Sequence, residues 1–165
     1  MRANLGCTWK YLITLFFIIS VASSAGANST SGKIVINEML PNPASDWNKN
    51  GVTSGMDDEF IELFNSGKEP VDISGYNITD LSLGYYYIIP NGTIIKPEGF
   101  WVVFSSESNV FQRNSGDIIW LYDPSGNLVD EKEYNSTTSD VSFARIPDGG
   151  NWTTSKTPTP GKPNH

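Results

Sequence analysis

From Lys33 onward the sequence consists of short apolar stretches separated by turn residues, and no window keeps the 3.6-residue apolar period of an amphipathic helix. Valine, isoleucine, threonine and aromatic residues dominate these stretches, as they do in β-strands. The pattern predicts an all-β domain with ten strands. These are Lys33–Met39, Glu59–Asn65, Val71–Ile73, Tyr76–Asp80, Tyr85–Ile89, Thr93–Ile95, Phe100–Phe104, Asp117–Tyr122, Leu128–Glu133 and Ser142–Ile146.

Some of these strands are apolar on both sides. In the second one, Phe60 and Phe64 point one way while Ile61 and Leu63 point the other, because side chains alternate along a strand. A strand with one side exposed to solvent would instead alternate apolar and polar residues. The sequence therefore predicts a sandwich whose central strands are covered on both sides, followed by an extended tail over 151–165 that closes the domain and then frays.

Residues 1–27 have the features of a secretory signal peptide. A basic start precedes an apolar run from Tyr11 to Val21, and small residues follow it up to Ala27. The apolar run is shorter than the ~20 residues that span a bilayer, so a retained N-terminal anchor is the weaker alternative. We expect one domain over 28–165, with its core at 33–164, outside the cell.

The charge balance argues against nucleic acid as a partner. Removal of Arg2 and Lys10 with the signal segment leaves nine basic against 18 acidic residues, a net charge of −9. Such a chain repels phosphate backbones, and no cluster of basic residues counters the average.

The single cysteine, Cys7, lies in the signal segment. The remaining chain can therefore form no disulfide and no zinc site that uses cysteine.

Seven short motifs occur in order along nearly the whole predicted domain. They are IVINEMLPNP at 34–43, DEFIELFN at 58–65, VDISGY at 71–76, IPNGT at 89–93, DIIWL at 117–121, RIPDG at 145–149 and PTPGKPN at 158–164. On these motifs the chain resembles the lamin-tail domain family, of the type found in secreted microbial proteins. The resemblance implies an immunoglobulin-like β-sandwich. In nuclear lamins this domain binds proteins and DNA, whereas secreted microbial examples accompany enzymes and surface proteins as tethering or adhesion modules.

A loop before the second strand follows the spacing of a calcium-binding loop. Oxygen donors at alternate positions, a glycine at the sixth and an acidic residue at the twelfth can converge on a hard cation. The closing residue is Asp57 where glutamate is usual, although Asp58 or Glu59 could substitute for it. The alternative is a solvated loop that binds no metal. The predicted calcium ligands are Asp46, Asn48, Asn50, Val52, Asp57 and Asp58.

Five asparagines lie in N-glycosylation sequons, each without proline in the middle. In a secreted chain they are candidate acceptors, and Asn91 and Asn135 adjoin turn signals. The alternative is an asparagine- and serine-rich composition in a cell that does not glycosylate. The five are Asn28, Asn77, Asn91, Asn135 and Asn151.

Catalysis has little support in the sequence. The only histidine, His165, is the final residue, which leaves no histidine for a catalytic triad within the strands. Glu38 and Glu62 could face each other across neighbouring strands, as the carboxyl pair of a glycosidase does. We expect them instead to be structural residues bonded to the backbone or to Arg145.

Two loop tryptophans, Trp47 and Trp152, are candidate partner-binding residues, because exposed aromatic rings anchor proteins and stack on sugars. Trp101 and Trp120 lie in predicted strands and are expected in the core, whereas the Tyr85–Tyr87 run must turn at least one ring outward.

We expect a secreted, non-enzymatic structural or adhesion module with a protein or glycan partner. A carbohydrate- or nucleic-acid-binding module and, less favoured, a small hydrolase are the alternatives.

Overall fold

The structure is a computed structural model that describes residues 33–81 and 86–165. Within these residues the chain forms eleven β-strands and one short α-helix, α1 (Ser105–Ser108). The strands are β1 (Ile34–Leu40), β2 (Phe60–Asn65), β3 (Val71–Asp72), β4 (Asn77–Thr79), β5 (Tyr86–Ile88), β6 (Ile94–Ile95), β7 (Phe100–Phe104), β8 (Asp117–Tyr122), β9 (Leu128–Tyr134), β10 (Ser142–Ile146) and β11 (Asn151–Ser155).

Two main sheets enclose the core, as expected for an immunoglobulin-like sandwich. One sheet has the order β11-β10-β1-β2-β7 and the other β5-β4-β8-β9, while β3 and β6 form a small third sheet. Every pairing is antiparallel. Ile36 and Leu63 of the first sheet and Ile78 and Leu121 of the second belong to one buried apolar cluster. The all-β sandwich predicted from the sequence is thus confirmed.

All residues of β1 and β2 are buried, including those on the side that faces away from the core. Ile61 and Leu63 point into the core, whereas Phe60, Glu62 and Phe64 point to the outer side. That outer side is covered by residues 158–164, which we call the C-terminal segment. Backbone N–H groups of this segment donate to buried carboxylates of β1 and β2. The expectation of central strands covered on both sides is confirmed.

The tail does not fray as expected. Its first part, Asn151–Ser155, is β11 and pairs along its whole length with β10. Its last part is held by hydrogen bonds from Thr159, Gly161 and Asn164 to buried or half-buried acceptors. The expectation of an extended tail that closes the domain is confirmed, whereas the expected fraying was wrong. A composition rich in proline, threonine and glycine does not reveal acceptors such as Glu38 and Glu62, which lie 121 and 99 residues before their donors.

Two strand tryptophans differ in their surroundings. Trp101 packs against the core and stacks on Tyr87, with 6.3 Å between ring centroids. Trp120 is half-buried on the outer side of β8, because Ile119 and Leu121 take the inward positions. The expectation that Trp120 belongs to the core was therefore wrong. Tyr86 is 63% exposed, as expected for one ring of the tyrosine run.

The predicted signal peptide, Asn28 and Tyr85 lie outside the described residues. No helix in the described part of the chain is long and apolar enough to cross a membrane.

Candidate binding groove and the carboxylates behind it

A groove with a volume of about 720 Å³ lies on the outer side of the five-stranded sheet. It runs between the loop after β1, the outward side chains of β7 and the C-terminal segment. Its lining residues are Ser45, Asp46, Trp47, Asn48, Lys49, Val102, Phe104, Pro158, Thr159, Pro160, Gly161, Lys162 and His165. Of the residues predicted as functional, the structure brings Asp46, Trp47 and Asn48 together at this groove.

Asp140 fixes the wall of the groove that contains Trp47. One carboxylate oxygen, Oδ1, accepts bonds from the Trp47 indole N–H at 2.9 Å and from the Ala44 backbone N–H at 2.8 Å. The other accepts from the Ser45 hydroxyl at 2.6 Å. Partial burial alone would raise the pKa of Asp140, but these hydrogen bonds outweigh it and hold that pKa below its usual value. An ionised aspartate therefore positions the indole at neutral pH.

The candidate calcium loop is organised by its own hydrogen bonds. The backbone N–H of Asn50 lies 3.1 Å from Asp46 Oδ1 and 3.0 Å from Asn48 Oδ1, so these two oxygens converge. Asp46 Oδ2 accepts from Gly51 N, and Asn50 Oδ1 accepts from Val52 N. Gly51 has φ +90°, a conformation that glycine adopts without a steric penalty.

The predicted closing residues of this loop behave differently from one another. Asp58 is fully buried, and its two oxygens accept from the backbone N–H groups of Asn48 and Ser54. Asp57 is half-buried, and its carbonyl accepts from the Asn48 side-chain amide. Across residues 33–81 and 86–165, no three histidine, cysteine, aspartate or glutamate side chains are grouped as metal ligands. A cation in this loop would therefore depend on Asp46 together with asparagine and backbone oxygens, and calcium remains a prediction.

Behind the groove, Glu38 and Glu62 are direct partners across β1 and β2, as expected from the sequence. Both are 0% exposed. The register shifts between Ile36 and Glu38, so that Asn37 forms a bulge, which re-aims a side chain. Its amide donates to Glu62 Oε1 at 2.8 Å and to Asp148 Oδ1 at 2.9 Å. The bulge thus connects two carboxylates through one asparagine.

The remaining oxygens of the two glutamates hold the C-terminal segment. Glu62 Oε2 accepts from Gly161 N at 2.7 Å, and Glu38 Oε2 accepts from Thr159 N at 3.0 Å. Glu38 Oε1 accepts from the Ser142 hydroxyl. These bonds lower the pKa of each glutamate, but burial has the larger effect and raises the pKa of Glu62 to about 8 and that of Glu38 in the same direction.

The expected contact of these glutamates with Arg145 is replaced by another arrangement. Arg145 pairs with Asp130 at 3.0 Å and donates from Nε to the carbonyl of Ile36 beside the bulge. Its guanidinium lies 4.5 Å from the Trp152 ring centroid, and Lys132 lies 5.0 Å from the same ring. Trp152 is therefore half-buried between cations and the core and does not line the groove. Its role as a partner-binding residue remains a prediction.

A third buried glutamate, Glu59, lies immediately before β2. Its Oε2 accepts from Gln112 N at 2.7 Å. Burial, with smaller contributions from Asp117 and Asp80, outweighs that bond and raises the pKa of Glu59 to about 8. No pattern in the sequence distinguishes this glutamate from an exposed one next to a strand.

The four sequons in the described residues occupy different surfaces. Asn91, Asn135 and Asn151 are exposed, while Asn77 is half-buried on the outer side of β4.

Sequence reasoning did not identify Asp140, Asp148 or the donors of the C-terminal segment. The one available signal was the PTPGKPN motif itself, whose partners cannot be deduced from local sequence.

Comparison with known families gives one match. A family model described as Lamin Tail Domain matches residues 27–144. The match includes β1 to β9 and most of β10, whereas β11 and the C-terminal segment lie beyond it. A search of curated proteins found no match.

Proposed function

Because this chain belongs to the lamin tail domain family, we propose that it is a non-enzymatic module that tethers a protein or glycan partner at the cell exterior through the groove beside Trp47. The observation that carries the proposal is the groove itself. It joins an aromatic wall, an apolar floor and polar edges on one side of a rigid sheet. Concave sites of this kind are the usual places for binding.

The state of the buried carboxylates supports a non-enzymatic role. A general acid or base must lie within hydrogen-bond reach of the substrate. All four carboxylate oxygens of Glu38 and Glu62 already accept bonds from the protein, and both residues have no exposed surface. Their arrangement serves to fasten the C-terminal segment.

Charge near the groove suggests the chemistry of the partner. The whole chain has a net charge of −7, yet Lys49 and Lys162 both line the groove. The two lysines favour a partner that carries carboxylates or other anionic groups, and attraction of this kind weakens as salt screens it. An exterior location rests on the predicted signal peptide and on the acidic composition.

Calcium is part of the same proposal, as a stabiliser of one groove wall. Asp46 and Asn48 present oxygens that converge on one N–H, and a carboxylate or amide oxygen that accepts one hydrogen bond keeps a further lone pair. The affinity would be weak, at ~0.1–1 mM, as in extracellular modules, because two of the donors are neutral asparagines.

The test measures binding of the labelled full chain to envelopes of its own source cells. We expect Trp47→Ala to weaken binding by about tenfold or more, as loss of an aromatic anchor does. Ile94→Ala is the matched control, because Ile94 is 60% exposed but does not line the groove. Equal binding of wild type and Trp47→Ala would exclude the groove as the binding site.

A further inference from the structure

The outer side of the four-stranded sheet carries a second surface, on the opposite side of the sandwich from the groove. Its inward residues, such as Ile78 and Leu121, lie in the core, so that their neighbours along each strand point to solvent. Tyr86 and Ile88 are 63% and 56% exposed. We call this surface the aromatic face, defined by Asn77, Thr79, Tyr86, Ile88, Trp120 and Tyr122.

The register of the sheet arranges the aromatic face in two rows. Thr79 pairs with Tyr86 on one side and with Trp120 on the other. Asn77 likewise pairs with Ile88 and Tyr122. Strands lie ~4.8 Å apart, so Tyr86 and Trp120 are separated by about 9.6 Å with a polar side chain between them. Each row therefore places a polar group between two apolar ones.

One hydrogen bond prepares this face for a ligand. The Trp120 indole N–H donates to Glu131 Oε2 on β9 at 3.0 Å, which fixes the ring on the sheet. The side-chain oxygen of Asn77 is itself buried, so it is not part of the open surface. The face thus offers a held aromatic ring in the same sheet as the exposed ring of Tyr86.

Area and charge identify the class of ligand. Three strands at ~4.8 Å and three residues along each at ~3.4 Å give a face of about 14 Å by 10 Å, or ~140 Å². That area is far less than the roughly 800 Å² per partner that a standard protein interface or stable dimer requires. Asn77 and Thr79 also divide the apolar groups, whereas the centre of a protein interface is largely apolar. The face has no lysine or arginine, and Glu131 and Glu133 continue it on β9, so anionic polymers are repelled.

We propose that the aromatic face binds a neutral polysaccharide, whose sugar rings lie on Tyr86 and Trp120. The apolar face of a sugar ring stacks on an aromatic ring, and its hydroxyl groups project from the edge of the sugar ring. This site is independent of the groove and goes beyond the proposed tethering function.

The test uses the full chain secreted to the periplasm of a bacterial host that does not glycosylate, so that no glycan on Asn77 occupies the face. Depletion from solution is measured with microcrystalline cellulose, chitin and cross-linked mannan, and with alginate as an anionic polymer. We expect retention on at least one neutral polymer, unaffected by salt between about 0.05 and 1 M.

Variants locate the site. Tyr86→Ala and Trp120→Ala should each weaken retention by about tenfold or more, while Trp47→Ala and Ile94→Ala should not change it. Tyr86 is mostly exposed, so Tyr86→Ala remains informative if Trp120→Ala fails to fold. The proposal is overturned if no neutral polymer retains the chain, or if Tyr86→Ala binds as well as wild type. Retention on alginate alone, or a dimer in sedimentation that Tyr86→Ala dissociates, would overturn it as well.

Discussion

The two outer sides of the sandwich differ in what covers them. On the covered face, which comprises Glu38, Phe60, Glu62 and Phe64, every side chain is buried, and the C-terminal segment bonds to both glutamates. On the aromatic face, no segment of the described chain is hydrogen-bonded over the rings as the C-terminal segment is over the glutamates, and Tyr86 is 63% exposed. The same alternation of strand residues thus yields a polar network sealed inside the protein in one sheet and a surface open to ligands in the other. What distinguishes them is whether the chain supplies donors to cover the sheet.

The largest expected effect is on the pH dependence of stability. Burial raises the pKa of Glu62, on the covered face, and of Glu59 to about 8 from 4.5. Their contribution to the free energy of unfolding is therefore full below 4.5 and is lost as the pH rises to 8. We expect chemical unfolding to show a decrease of about 3 kcal/mol per group between about pH 5.5 and 8.5.

Two variants assign this dependence to the covered face. Glu62→Gln should remove about half of the decrease, whereas Glu131→Gln, next to the aromatic face, should leave it unchanged. Stability that is flat or increases over this interval would contradict the assignment of raised pKa values.

Removal of the C-terminal segment is expected to have the next largest effect. Without residues 158–165, Glu38 and Glu62 lose the N–H donors of Thr159 and Gly161, and the outer side of β1 and β2 loses part of its cover. Loss of a hydrogen bond to a buried polar group costs about 1–3 kcal/mol, so we expect the loss of two to lower the free energy of unfolding by about 4 kcal/mol in urea. Lys162→Ala is the control, because this exposed side chain should contribute under ~0.5 kcal/mol. An unchanged urea midpoint after truncation would show that the C-terminal segment does not stabilise the covered face.

A single substitution makes the same comparison on a smaller scale. Glu62→Ala leaves the N–H groups of Asn37 and Gly161 without an acceptor, and we expect a loss of about 3 kcal/mol. Glu131→Ala removes an exposed carboxylate of the other sheet and should cost under ~0.5 kcal/mol. Thermal melting of the two variants measures the difference between these stability losses. Similar melting temperatures would refute the expectation that the buried glutamate contributes more than the exposed one.

Calcium should give the smallest effect. At a tenfold excess over the dissociation constant, binding would stabilise the fold by roughly 1.4 kcal/mol. The increase in melting temperature on adding calcium should vanish in Asp46→Ala and persist in Asp123→Ala. Asp123 is a suitable control, because its carboxylate also accepts backbone N–H bonds within a turn. An Asp46→Ala variant that still responds to calcium would place the ion elsewhere.

The sequence was sufficient to predict the strands because the signals that define them are local. Alternation and turn residues located β7, β8 and β10 with the bounds that the structure has. The same alternation placed Glu38 opposite Glu62, since one register satisfies the apolar residues on both strands. Local signals could not predict β11, whose residues Asn151–Ser155 gain their stability from pairing with β10.

The contacts of the candidate site depend on long sequence separations. Glu62 and Gly161 are 99 residues apart, and Glu38 and Thr159 are 121 apart. Trp47 and Asp140 are 93 apart. No periodicity connects such positions, so Trp47 could be identified as a candidate, but the aspartate that fixes it could not. Trp120 was misassigned for a related reason, because strand residues alone do not show which side of a sheet remains uncovered.

The C-terminal segment also determines the order in which the molecule can be completed during its synthesis. A ribosome makes β1 early, yet the donor that satisfies Glu38 emerges 121 residues later. Until then the growing chain contains a strand pair whose two glutamates lack their N–H donors, a costly arrangement once they are buried. The sandwich therefore reaches its full stability only once nearly the whole polypeptide is available. Most of the chain is translated before the hydrogen bonds that seal the covered face can form.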